Sequence, residues 1–389
     1  MEIKYRTYEA GDEVELAQLF NICFHYSGAG FSRTPKNILW RYLDSPSGKA
    51  EEIQIAINSK TNKIVGAISC PIEDLIFNGE HFKSGSVNDV AVLPKYQGKG
   101  IAKELLQRTI DFMKREGCKI SSLIADPKGH ARSHLYLPFG WQDIVKIEVC
   151  VSLNISIFRY FPIIFPYAPF LILNIIKQNF RLKKLERKFL RLNIKTKIIH
   201  TDRNNLIPKD LNDILRCMYN DNSMKNFNGS VNFSKEYWKH FRENPISSGS
   251  KPTYIVLYRN QEIIGFSSFT RHWFQLEKIG FRIPLAIARE FIIDRRYFTN
   301  FNHFLLSSSF LIEKTIEASK ERKCSTLLVA VSDQNRILYS ILNNKRLFHF
   351  PGAVLMYKNL DKSSIKSFSS FPFNSKPIQH DLGEIWLYP

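Results

Sequence analysis

Val87-Asn-Asp-Val-Ala-Val-Leu-Pro-Lys-Tyr-Gln-Gly-Lys-Gly-Ile-Ala102 passes from strand chemistry to anion-binding chemistry within a few residues. Val87, Val90 and Val92, with Ala91 and Leu93, make a β-branched run that predicts a strand ending at about Leu93, because Pro94 removes a backbone donor. Ile101, Leu105, Leu106, Ile110 and Met113 then recur at three- and four-residue steps. That spacing predicts a helix with one apolar face running to about Glu116 and stopped by Gly117. Between strand and helix, the small residues Gly98, Gly100 and Ala102 let a ligand approach the main chain. The first helical turn adds unpaired N–H groups and the positive end of the helix dipole. Such a turn suits a pyrophosphate. It is neither a Walker A loop nor the Gly-x-Gly-x-x-Gly dinucleotide fingerprint.

Downstream, Ser121 to Ala125 reads as a short strand, followed by Asp126-Pro-Lys-Gly-His-Ala131 and Ser133-His-Leu-Tyr-Leu-Pro-Phe-Gly-Trp141. Upstream, residues 2 to 8 alternate as a first strand, and two helices follow, one through Val14 to Cys23 and one through Ile38 to Leu43. Ile53 to Asn58 and Lys63 to Pro71 form a hairpin across Ser59 to Asn62, and Glu73 to Phe77 turns at Asn78-Gly79. Ile144 to Leu153 supplies a last strand.

Gln97-x-x-Gly100-x-Ala102 after a strand stopped by proline resembles the acetyl-CoA turn of the GNAT N-acyltransferase superfamily. Leu135-Tyr136 with Gly140-Trp141 beyond it is similar to the segment of that family that covers the acetyl end of the cofactor; the family's usual Asn is replaced by Asp126 or by nothing alignable. The resemblance implies an α/β (α+β) GNAT fold, with a mixed, mostly antiparallel central sheet flanked by helices. It also implies a CoA-dependent N-acetyltransferase acting on a primary amine. Acetyl-CoA, as acyl donor, is expected at Val90, Ala91, Val92, Gln97, Gly98, Lys99, Gly100, Ile101, Ala102 and Lys103. In this family the thioester carbonyl is bonded by main-chain N–H groups near the end of the organising strand, which maps onto Val90 to Val92; such fixed donors are worth roughly 3 kcal/mol each. Tyr136 is the implied acid for the leaving thiolate and Asp89 a candidate base, with Glu73, Asp74 and His134 as further candidates. No metal is expected.

Trp40-Arg-Tyr-Leu-x-x-Pro-x-Gly48 resembles a helix and turn of GNAT proteins associated with bacterial surface-polysaccharide synthesis, which suggests an amino sugar as acceptor. An amphipathic helix packing its aromatic face explains the same residues. A non-catalytic acyl-CoA-binding or membrane-docked scaffold is the competing reading of the whole chain.

A second copy of the pattern follows. Tyr254 to Phe266 repeats the hairpin across Arg259-Asn-Gln261 with Gly265 in the place of Gly66, and Glu290-Phe-Ile-Ile293 repeats Asp89-Val-Ala-Val92. At the turn, Asp294-Arg-Arg-Tyr-Phe-Thr-Asn-Phe-Asn302 has no glycine, so bulky residues block close approach of a pyrophosphate. The expected organisation is a GNAT domain at 1–152, a linker at 153–200, a degenerate GNAT-like domain at 201–360 that shapes or binds the acceptor, and a tail at 361–389. The tail is expected to be flexible, with Ile385 to Tyr388 as a docked strand. An unrelated α+β domain is the alternative for the second half.

The chain carries 55 Lys+Arg against 36 Asp+Glu, unevenly placed: residues 1–150 hold 19 against 18, and 151–200 hold 10 against 1. A nearly neutral domain around the turn argues against a nucleic-acid binder. Tyr160 to Ile176 has no charge but contains Pro162, Pro166 and Pro169, which disfavours a spanning helix. Lys and Arg then alternate with Phe and Leu up to Leu192, the composition of an interfacial helix. Residues 157–192 are therefore read either as a peripheral membrane contact or as a buried interdomain linker. Six cysteines without a Cys-x-x-Cys pair, and an N-terminus unlike a signal peptide, point to a cytoplasmic protein, peripheral to the inner face of the membrane if 157–192 docks.

Overall fold

The computed structural model describes residues 2–24, 29–30, 32–154, 156–157, 166, 168–201, 207–243, 252–276, 281–344 and 347–361. The tail expected beyond residue 361 and most of 158–167 lie outside the described residues.

The N-terminal half runs β1 (Ile3–Thr7), α1 (Asp12–Phe24), β2 (Ala29–Gly30), α2 (Pro35–Ile38) with a five-residue π-turn Leu39–Leu43, β3 (Ile53–Asn58), β4 (Lys63–Ser69), β5 (Ile72–Phe77), β6 (Glu80–Val92), α3 (Ile101–Arg115), β7 (Ile120–Ala125), a π-turn at Arg132–Tyr136 and β8 (Gln142–Leu153). After α4 (Ala168–Arg191) the order recurs: β9 (Ile194–His200), α5 (Lys209–Asn226), β10 (Ser230–Val231), α6 (Lys235–Glu243), β11 (Thr253–Arg259), β12 (Glu262–Leu276), β13 (Phe281–Ile293), α7 (Phe301–Glu321), β14 (Thr326–Ser332), α8 (Arg336–Asn344) and β15 (Phe348–Asn359). The expected hairpin turns form for the expected reason. Asn78 and Gly79 both take positive φ (52° and 83°), the geometry of the turn that matches the twist of the flanking strands. In the second half Asn260 and Gln261 do the same.

The two copies share one sheet, in the order β1-β3-β4-β6-β7-β15-β8-β14-β13-β12-β11-β9. Each half hands its last strand to the other. β15 pairs with β7 of the first half, and β8 pairs with β14 of the second, while β8 and β15 pair with each other at the centre. Two short strands are exchanged as well: β2 pairs with β12, and β10 with β5. The apolar core follows the exchange. Leu75, Phe77, Ile120 and Val145 of the first half lie in one cluster with Trp238, Tyr254 and Tyr357 of the second, all buried. Leu105, Leu106 and Met113 of α3 pack over the strands of the first half, as the spacing in the sequence predicts. The two copies thus form one continuous body with a shared sheet and a shared core.

Candidate functional site

β6 organises the site because it changes neighbours along its length. It pairs in parallel with β7 only at Ser84–Val87 against Ile120–Leu123. Beyond Val87 it pairs with β4 alone, through Ser69↔Asn88, Ala67↔Ala91 and Gly66↔Val92. The register slips between these pairs, so that Asp89 and Val90 form a bulge, and Asp89 takes φ 47°. A bulge twists and bends its strand. Here the parallel strands part just where it occurs, leaving the β7-facing edge of Val90 to Val92 outside the ladder described by these pairs.

The turn after β6 presents its main chain to that opening. Leu93 N donates to Val65 O (2.9 Å) and Gln97 Nε2 to Val92 O (3.0 Å), which fasten the start of the turn to the sheet. Gly98 and Gly100 sit at φ 73° and 80°, where a side chain would be strained, and nothing lies within 4 Å of a Cβ placed on either. Gly100 is the N-cap of α3 and brings no capping side chain. The first bond back to it is made by Glu104 N (3.1 Å), so the amides of Ile101, Ala102 and Lys103 precede the helical ladder. An uncapped helix start behind two open glycines is a ready anion cradle. Among the residues expected there, Gln97, Gly98, Lys99, Gly100 and Lys103 are exposed, Ile101 is buried and Ala102 half-buried.

Tyr136 ends its π-turn buried in the same cluster as Leu105 and Leu106 of α3, with its ring edge-on to Trp141 at 6.4 Å between centroids. Burial pushes its phenol up from the ordinary range, so it is protonated at neutral pH.

Asp89 has an environment that the sequence did not suggest. Its carboxylate accepts from Arg33 Nη2 (2.8 Å), Arg41 Nη1 (3.2 Å) and Tyr42 Oη (2.5 Å), and the side chain is 7% exposed. Burial by itself would raise its pKa, but the two guanidinium groups and the tyrosine hydrogen bond hold it below the usual carboxylate range. A triply held, low-pKa carboxylate is a poor proton acceptor; the arrangement fits an anchor that fixes the bulge better than it fits the expected base. Arg41 and Tyr42 belong to the Trp40–Leu43 run noted in the sequence. Arg33 carries no sequence signal, since it reaches Asp89 only because α1 and α2 bring it there.

The further candidates are not gathered at the bulge. Glu73 pairs across with Ser84 and Asp74 with Lys83, five and six residues down β6 from Asp89, or roughly 17–20 Å at strand spacing. Asp74 also pairs with His81 Nδ1 (2.8 Å) and accepts from Asn232 Nδ2 (2.9 Å). His134 is exposed and stacks on His130 at 3.9 Å.

The second half repeats the frame and alters the turn. β13 pairs in parallel with β14 only at Leu285–Ile287, slips register at Arg289 against β12, and places Ile293 opposite Gly265 as Val92 stands opposite Gly66. Glu290 is its buried acid, bonded by Arg242 Nη1 (2.8 Å) and Ser268 Oγ (2.9 Å). At the turn, Asp294 Oδ1 accepts from Arg296 N (3.0 Å) and Asn300 Oδ1 from Asn302 N (2.8 Å). Side chains of the turn already hold donors that a phosphate would need, and one of them is anionic.

Residues 4–144 match the family model described as an acetyltransferase (GNAT) domain. A search of curated proteins gives no significant match. Among solved structures, the chain is similar to Saccharomyces cerevisiae N-myristoyltransferase with bound myristoyl-CoA, at 13% identity and TM-score 0.63, covering 92% of this chain and 82% of that one. It is also similar to a GCN5-related N-acetyltransferase from Anabaena variabilis (11% identity, TM-score 0.56, 92% and 73% covered). A third is a probable N-acyltransferase from Enterococcus faecalis (8% identity, TM-score 0.55, 92% and 73% covered). At such identities the likeness is one of fold, and it extends over both halves.

Proposed function

We propose, from the match of residues 4–144 to the GNAT acetyltransferase model, that the protein is a CoA-dependent N-acyltransferase that transfers an acetyl group to a primary amine. The observation that carries this reading is the parting of β6 and β7 directly beside an uncapped helix start with two open glycines. The diphosphate of the donor lies against the amides of Ile101 to Lys103, with Lys99 and Lys103 adding charge complementarity. The acyl-thioester arm enters between the strands. Main-chain N–H groups at Val90 to Val92 polarise its carbonyl, and the amine nitrogen attacks the carbonyl carbon. As the C–S bond breaks, the sulfur takes the Tyr136 proton; the amine gives up its own proton to solvent, and Tyr136 is reprotonated. Asp89, held by Arg33, Arg41 and Tyr42, is a positioning residue that keeps the bulge and with it the direction of the Val90–Val92 amides.

The acceptor class we favour is an amino sugar of surface-polysaccharide synthesis, after the resemblance of Trp40 to Gly48. The exposed apolar and basic faces of α4 favour a protein that works at the inner face of the membrane, where such acceptors are delivered. Release of CoA from acetyl-CoA in the presence of a panel of amino sugars and alkylamines tests the activity. Gly100→Glu, which fills the cradle and adds a negative charge, is expected to abolish both donor binding and turnover. Donor binding without CoA release for any amine would favour a scaffold.

A further inference from the structure

The second half keeps the opening between its parallel strands while its phosphate end is closed. Where β13 and β14 part, a cavity of about 590 Å³ lies between Ala288–Phe291 and Val329–Ser332. Such a volume lies within the range of small-molecule sites, about 300–1,000 Å³. Leu311 and Ile312 of α7 and Ile341 of α8 complete an apolar lining.

Apart from Glu290 the charged groups around it are cationic, set among neutral polar residues such as Asn222, Asn226, Gln334 and Asn335. Lys225, Arg295 and Arg336 line the cavity and are exposed, and Arg295 is stacked on Phe301 and Phe304 with its guanidinium 5.0 and 5.5 Å from the ring centres. Glu290 is the one carboxylate among the described lining residues, and it is spent on Arg242 and Ser268, with 1% of its side chain exposed. A largely apolar slot with a cationic rim selects against a cation. The capped turn at Asp294 and Asn300 selects against a nucleotide diphosphate.

We propose that this slot is a second ligand site, which takes a single-chain amphiphile with an anionic head, a fatty carboxylate or an alkyl phosphate. The chain lies between β13 and β14 and the head group at Lys225, Arg295 and Arg336. The site is independent of the donor cradle, so its test can fail or succeed apart from the acyltransfer reading.

The test is calorimetry on the full chain with dodecanoate and dodecyl phosphate below their micelle concentrations, and dodecyltrimethylammonium as the cationic control. One anionic amphiphile per chain is expected to bind, the stronger head group identifying the natural class, and the ammonium to bind at least tenfold more weakly. Ala330→Trp and Ser308→Trp, which fill the slot from two sides, should each abolish binding, and Arg295→Glu/Arg336→Glu should weaken it at least tenfold, thermal melts showing which variants fold. Gly100→Glu should leave it unchanged. Absence of binding, equal binding of the ammonium compound, or binding that survives in a folded slot-filling variant would overturn the proposal, as would its loss in Gly100→Glu, which would assign the chain to the donor opening.

Discussion

Tyr136 and Asp89 are shifted from their ordinary pKa values in opposite directions, the phenol up and the carboxylate down, and their substitutions should therefore read differently. If Tyr136 protonates the leaving thiolate as proposed, Tyr136→Phe, which keeps the ring against Trp141, should lower kcat by about 10²-fold with donor affinity little changed. Unchanged turnover would make the residue a packing aromatic only. Asp89→Asn leaves Arg33 and Arg41 buried without their counter-charge, which typically costs about 3–5 kcal/mol of stability. Because its folded pKa is depressed, the stability it supplies is present above the unfolded value near 4 and is lost as the pH falls through the folded one. If Asp89 positions and does not accept a proton, the acid limb of the kcat profile should keep its midpoint in the Asn variant; loss of that limb would restore the base role. Glu52 has the opposite sign. It is fully buried, and desolvation pushes its carboxyl up to about 9. Folding therefore takes up a proton, so its favourable state is complete below the unfolded pKa and stability declines as the pH rises toward 9. Glu52→Gln should make the protein more stable at pH 8, by up to about 5 kcal/mol, with the difference vanishing near pH 4 in parallel denaturant titrations. The glycines of the cradle were legible in the sequence because their chemistry is local. The partners of Asp89 were not, because Arg33 and Tyr42 lie 56 and 47 residues away and meet it only through folding.

The element whose reading stayed double in the sequence, residues 157–192, turns out to divide within one helix. The C-terminal part of α4 is bound to the second half: Phe189 stacks on Phe310 at 4.4 Å and Lys314 Nζ reaches Glu186 at 2.6 Å. Further up the same helix, Ile172, Ile176 and Phe180 recur at four-residue steps and are all exposed, Phe180 to 73%, with Leu173 beside them. Lys183, Lys184, Arg187 and Lys188 are exposed as well. No helix among the described residues is long and apolar enough to cross a membrane. A stripe of this kind next to exposed cations suits an anionic lipid surface, each cation near it contributing about 1 kcal/mol. Vesicle flotation should show binding to anionic but not to neutral lipid. Added salt should weaken it only in part, since charge contacts are screened over about 8 Å at physiological ionic strength and inserted apolar groups are not. Lys183/Lys184/Arg187/Lys188→Glu should remove it. If the full chain fails to float with anionic lipid, the stripe is an ordinary surface or a contact with another protein. Periodicity alone could not divide the helix, because both parts alternate apolar with basic residues and only the fold shows which apolar groups are covered.

The exchange of final strands makes the two copies one folding body, and it was the feature least visible in the chain. β8 alternates apolar with polar residues from Val145 to Val149 and β15 carries the continuous apolar run Ala353–Tyr357; such patterns say which residues are buried but nothing about which edge is the neighbour. The consequence is testable by cutting the chain. Residues 1–153 alone would keep β7 but lose β15 between β7 and β8, exposing the edge at Ile120–Ala125 and leaving Val145, Ile147, Val149 and Val151 without their partner strands. Long apolar edges of this sort pair with other copies. The fragment is therefore expected to aggregate, although it contains the turn proposed to hold the donor and the region 4–144 that matches the GNAT family model. Co-expression with residues 154–389 should rescue it, because β15 can then enter from the second fragment, and the soluble complex should bind one acetyl-CoA with the affinity of the intact chain. Because Asp294 and Asn300 cap the turn of the second half, no donor site is expected there, and the count should stay at one. A soluble, monomeric 1–153 with full donor affinity would show that β7 and β8 close on each other when β15 is absent, and that the exchange is a consequence of tandem duplication that the first half does not need.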